Sequence, residues 1–174
     1  MSIKKMLFMG TALVSLSCLP VQDAAAFTGT ASASAIVIDP VIVSGTAPLH
    51  FGTITHSAAG TVVLDTASGR SVTGGVTAIT GAGLEQSGSV LVTGASGLPI
   101  DLTITAAATV NDGGGNTMTV NAFNLRTNAG GTQEVVTLTA AGTLAVPFGG
   151  TLIVAGTEPA GTYTGTFSVI ANYQ

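Results

Sequence analysis

Lysine disappears after residue 5, tryptophan never occurs, and the single cysteine of the 174-residue chain is Cys18. Each absence removes a class of function. Beyond residue 26 only Arg70 and Arg126 are positive, against Asp39, Asp65, Glu85, Asp101, Asp112, Glu134 and Glu158, so two positives and seven negatives give a formal charge of −5. Two arginines cannot neutralise a run of phosphates, which excludes nucleic acid and anionic lipid surfaces as partners. With no cysteine past Cys18, neither a disulfide nor a thiolate metal site is open to the rest of the chain. No apolar run reaches the roughly 20 residues that a membrane-spanning helix needs. Charged residues make up only 7% of the sequence, so the surface must be solvated by hydroxyls and backbone.

What is present begins with an export signal. Lys4 and Lys5 form a charged start, Met6 to Cys18 an apolar stretch, and Ala24-Ala25-Ala26 an A-x-A cleavage site, so residues 1–26 read as a signal peptide. Ser15-Leu16-Ser17 lacks the leucine three positions before the cysteine that lipidation at Cys18 would call for. Removal at Ala26 leaves residues 27–174, 148 in number, enough for one domain with one core. The expected destination is the periplasm in transit, then the cell surface or medium.

Short β-branched runs separated by Gly, Asn, Asp or Pro recur throughout, the pattern of an all-β antiparallel sandwich with little or no helix. Strands are expected near 28–38, 41–44, 49–54, 61–65, 71–79, 88–94, 99–105, 117–124, 134–139, 143–147, 151–155 and 162–173. In 99–105 the alternation places Ile100, Leu102 and Ile104 on one face, and in 117–123 it places Met118, Val120 and Ala122 together. In the last strand Tyr163, Gly165, Phe167, Val169, Ala171 and Tyr173 point one way. NDGGGN at 111–116 and NAGG at 128–131 read as turns, and no linker divides the chain.

Chemistry is sparse. VLVTGASGLP at 90–99 has the look of a dinucleotide-binding turn, but Pro99 stands where the third glycine belongs and an alternating strand follows instead of a helix. It reads as a turn between strands. His50 and His56, the only histidines, have no zinc-ligand spacing. The single Asp of NDGGGN lacks the repeated ligands of a calcium loop. No G-x-S-x-G elbow occurs and no histidine motif supplies a base. The expectation is a protein without catalytic residues, metal or cofactor.

LHFGTI at 49–54, SGRSVTGGV at 68–76 and GTLIVAGTEPAGTYTGTFSVIANYQ at 150–174 together resemble the DUF4402 family of exported bacterial proteins, a domain of unknown function. SAIVIDPVIV at 34–43 is similar to the amino-terminal strand of alpha-type chaperone-usher pilins, and the ending that carries Gly161-Thr162-Tyr163-Thr164-Gly165 to their carboxy-terminal strand. The pilin resemblance implies an immunoglobulin-like sandwich completed by a strand from the next subunit, with a periplasmic chaperone and an outer-membrane usher as further partners. On that reading residues 27–43 hold the donor strand, with Phe27, Ala31, Ala33, Ala35 and Val37 on one face and Thr28, Thr30, Ser32, Ser34, Ile36 and Ile38 on the other. Which face inserts stays open, as does the alternative that 28–38 is the first strand of the chain's own sandwich. Tyr163, Gly165, Phe167, Val169 and Tyr173 would form the receiving edge. The function expected is a structural subunit of a pilus-like or surface fibre; the alternative is a monomeric secreted or surface module for binding or adhesion.

Overall fold

The structure, a computed structural model, describes residues 28–81, 83–125 and 131–174. The expected signal peptide, Phe27, Arg126 and the 128–130 part of the NAGG turn lie outside the described residues. Two units make up the chain, Met1–Ile36 and Val37–Gln174. In the first, residues 28–36 form no strand and are exposed.

The second unit holds ten strands and, among the described residues, no helix: β1 (Ile42–Ala47), β2 (Ile54–Leu64), β3 (Arg70–Ala78), β4 (Gly88–Thr93), β5 (Pro99–Ile104), β6 (Ala107–Asn111), β7 (Thr117–Leu125), β8 (Gln133–Thr137), β9 (Thr143–Val154) and β10 (Val169–Tyr173). A seven-stranded sheet runs β1-β4-β9-β2-β3, with β7 joining β9 and β6 pairing β7, while β10-β5-β8 forms a second sheet of three. Every strand pairing is antiparallel. Side chains from both sheets share one apolar core, including Val62, Val92, Ile100, Leu102, Ile104, Val146 and Val154, all 0–1% exposed. The protein is an all-β sandwich.

The alternation of β5 is realised in full, with Ile100, Leu102 and Ile104 inside. Each buried side chain of this kind contributes about 1.5–3 kcal/mol. Turn chemistry accounts for the polar punctuation. In NDGGGN, Asp112 Oδ1 accepts the Gly114 and Asn116 amides at 2.8 and 3.1 Å, closing the hairpin from β6 to β7. Between β2 and β3, Asp65 Oδ1 accepts the Ala67 and Gly69 amides at 2.8 and 2.6 Å. VLVTGASGLP carries β4 into β5, a turn between strands as expected.

Four expectations are corrected. Residues 28–38 form no strand, so the chain's own first strand is β1. The runs at 143–147 and 151–155 are one strand, β9, which continues through Pro147, Gly149 and Gly150. Pro147 is tolerated because it falls where β9 has a neighbour on one side only, β7 joining from Phe148 onward. In β7, Ala122 is exposed and Phe123 buried, because a bulge between Asn121 and Asn124 puts Ala122 at φ 46° and reverses the parity of the strand beyond it. Finally, only Val169–Tyr173 of the expected 162–173 strand is regular; Thr164 makes an isolated bridge to Asn111.

A candidate acceptor cleft between two sheet edges

That last segment holds the two sheets together. Its end pairs with β5, Val169 opposite Ile104 and Tyr173 opposite Ile100, in the three-stranded sheet. Its beginning pairs with β6, which belongs to the other sheet, through Thr164 and Asn111 amides and carbonyls at 2.8 Å each way. Between them the Thr105 amide and Oγ1 both donate to the Ser168 carbonyl at 3.0 Å. The segment thus follows the chain from β5 into β6 as it leaves one sheet for the other. Gly165 fits this path because a Cβ there would strike the Thr109 carbonyl.

Of the residues expected on the receiving edge, Tyr163, Phe167, Val169 and Tyr173 are half-buried and pack on the core, while Gly165 is exposed. Phe167 stands 4.9 Å from Phe123 and 5.3 Å, edge-on, from Phe148 between ring centres. Aromatic pairs in such tilted and edge-to-face arrangements add about 0.5–1.5 kcal/mol beyond burial. Tyr173 ends β10 with a hydroxyl that accepts the Ala95 amide at 2.6 Å and donates to the Asp39 carbonyl at 2.8 Å. Gly94 gives this hydroxyl its room.

β1 and β10 are each the last strand of their sheet, so each has a neighbour on one side only. Between them lies a cleft of about 370 Å³, with Val43 and Ala47 of β1 on one wall, Phe167 and Val169 on the other, and Val90 and Phe148 beneath. The β1 wall and the floor residues were not among the sequence candidates. Val43 and Ala47 lie more than a hundred residues from the C-terminal wall in the chain, and no local pattern joins either them or the floor residues to it.

Of the expected donor residues, Ala31, Ala33 and Ala35 are exposed and unpaired in strand terms, and Phe27 lies outside the described residues. Val37 is 95% exposed and its neighbour Ile38 45%. Ile36, on the opposite face of the expected strand, is 91% exposed.

Both histidines line a second, larger cleft of about 760 Å³, together with Phe51, Glu158 and Tyr163. Burial pushes the Glu158 carboxyl up, but the amides of Ala155, Gly156 and Thr157, donating at 2.6–3.0 Å, outweigh it and hold the group below the usual carboxylate range. Loss of hydration, followed by the charges of Asp112 and Glu158, raises the Tyr163 phenol. Among the described residues no three His, Cys, Asp or Glu side chains group as metal ligands.

A family model described as "Domain of unknown function (DUF4402)" matches residues 41–173. The match starts one residue before β1 and ends with β10, so it coincides with the sandwich and leaves residues 28–40 outside. No curated protein and no solved structure matches the chain.

Proposed function

The chain belongs to the DUF4402 family, which brings no biochemistry with it, and from the residues themselves we propose that it is a structural subunit of a surface fibre assembled by strand donation. The observation that carries the reading is the pair of half-partnered edges, β1 and β10, with a cleft between them that presents Val43, Val90, Phe148, Phe167 and Val169 beside Ser89 and Ser168. Residues 27–37 of a neighbouring copy are the proposed occupant, of which the structure describes 28–37. Residues 28–37 directly precede the sandwich, form no strand of their own, and leave Ile36 and Val37 in water. A strand laid in the cleft would hydrogen-bond to backbone that edge strands otherwise expose, and would bury its inserting face, a valine there being worth about 1.5–3 kcal/mol. Ten residues, 28–37, extend about 33 Å, enough to run the length of either edge.

Phe27, Ala31, Ala33, Ala35 and Val37 are the proposed inserting face. Small alanines suit a cleft already narrowed by the Phe148 ring of its floor and the Phe167 ring of its wall. In this reading residues 1–26 direct export, the periplasm is the route and the cell surface the destination. A chaperone would cover the open edges before an usher orders assembly, and the protein carries no catalysis.

Protein sheared from cells and run on a denaturing gel with and without boiling tests the proposal, with negative-stain electron microscopy alongside. An unboiled ladder and thin fibres, both lost in Val37→Asp, are expected. A single monomer band without fibres, or ladders unchanged by deletion of residues 28–37, would overturn it in favour of a self-complete, monomeric binding module.

A further inference from the structure

We propose that the larger cleft is a binding site for a neutral saccharide, one or two pyranose rings in size. Its floor is formed by Val110 of β6, Met118 of β7 and Leu152 of β9, all from the seven-stranded sheet. The loop before β2 and the loop after β9 form the walls. About 760 Å³ lies within the range of small-molecule sites.

Both walls are fixed in advance by side chains. On one, the Arg70 guanidinium donates to the carbonyls of Phe51, Thr53 and Ile79 at 3.2–3.4 Å and lies 3.6 Å from Glu85. On the other, Glu158 gathers three consecutive amides and the Tyr163 hydroxyl donates to the Pro159 carbonyl at 3.0 Å. Loops held in one conformation lose little entropy when a ligand arrives.

The two imidazoles have opposite, assigned roles. His50 Nδ1 accepts the Gly52 amide at 3.0 Å, so in the neutral ring the proton is on Nε2, a donor. His56 Nε2 lies 3.0 Å from the Glu158 carbonyl, which can only accept, so its Nδ1 is left as an acceptor. A hydroxyl-bearing ligand needs both functions. The rings of Phe51 and Tyr163 supply apolar faces of the kind that pack on pyranose C–H groups.

Charge excludes the competitors. Among the described residues no lysine or arginine lines the cleft, so phosphate, sulfate or carboxylate ligands find no counter-ion there. The one carboxylate among the described lining residues, Glu158, is occupied by amides, which leaves it a poor partner for a cationic ligand.

The inference is independent of strand donation. Saturation-transfer NMR on the whole purified protein, with the methyl glycosides of glucose, galactose and mannose and with N-acetylglucosamine at about 10 mM each, tests it. Transfer to the ring protons of at least one probe is expected. It should weaken at least about tenfold in Kd in His50→Ala, whose side chain is exposed, and in Thr162→Trp, which fills the mouth, with the melting temperature unchanged in both. Val37→Asp should bind as the parent does, which separates this outcome from the fate of the fibre reading. No transfer from any probe, or transfer equal in both cleft variants and the parent, would overturn the proposal.

Discussion

The Tyr173 hydroxyl donates to the Asp39 carbonyl at 2.8 Å, joining the end of the last strand to the residue that precedes Pro40 and the sandwich. Since the same oxygen accepts the half-buried Ala95 amide, one phenol ties together the start of the domain, its end and the turn from β4 to β5.

Tyr173→Phe removes both bonds while keeping the ring. The variant should lose about 1–3 kcal/mol in urea unfolding, because the Ala95 amide is left without its partner. Amides near Asp39 should exchange with solvent faster than in the parent.

Phe123→Ala should cost about 3–5 kcal/mol, since it opens a cavity at a side chain 2% exposed and removes the ring against which Phe167 stands. Val135→Ala, at a position 53% exposed, should stay within about 0.5 kcal/mol of the parent in the same titration.

Gly165→Ala should destabilise by about 1–3 kcal/mol, because its methyl group meets backbone at Thr109. Gly45→Ala, in β1 with open space around the added carbon and no left-handed φ, should change stability by less than about 1 kcal/mol. Parallel thermal melts separate the two.

The Glu158 carboxyl has a lower pKa in the folded protein than the roughly 4.3 of an unfolded chain. Its contribution to stability is therefore complete above that unfolded value and is lost as pH falls through the folded one. Glu158→Gln should be less stable than the parent near neutrality, with the difference shrinking in urea titrations as pH drops through the acid range. Glu85 and Asp112, also held low, keep some acid sensitivity in the variant.

Alternation is legible wherever a strand keeps its period, which is why Ile100, Leu102 and Ile104 can be placed from the sequence. Ala122 and Phe123 cannot, because their bulge sits at an alanine with a positive φ, without the glycine that commonly marks one. β6, an Ala-Ala-Thr-Val-Asn run, has too little bulk to announce itself, and Gly149-Gly150 reads as an end although β9 continues through it. The C-terminal wall of the smaller cleft is visible as Phe167 and Val169. Its β1 wall and its floor at Val90 and Phe148 are created only when the sheets close.

The clamp on Arg70 has a consequence for proteolysis. Past residue 5 the chain offers trypsin no lysine and two arginines, and the Arg70 side chain is 6% exposed and held on three carbonyls. Cleavage there requires the β2–β3 hairpin to open first, so its rate reports how often that part of the sheet opens. The scarcity of cations past residue 5 also leaves lysine- and arginine-directed proteases, and amine-reactive cross-linkers, with little to attack.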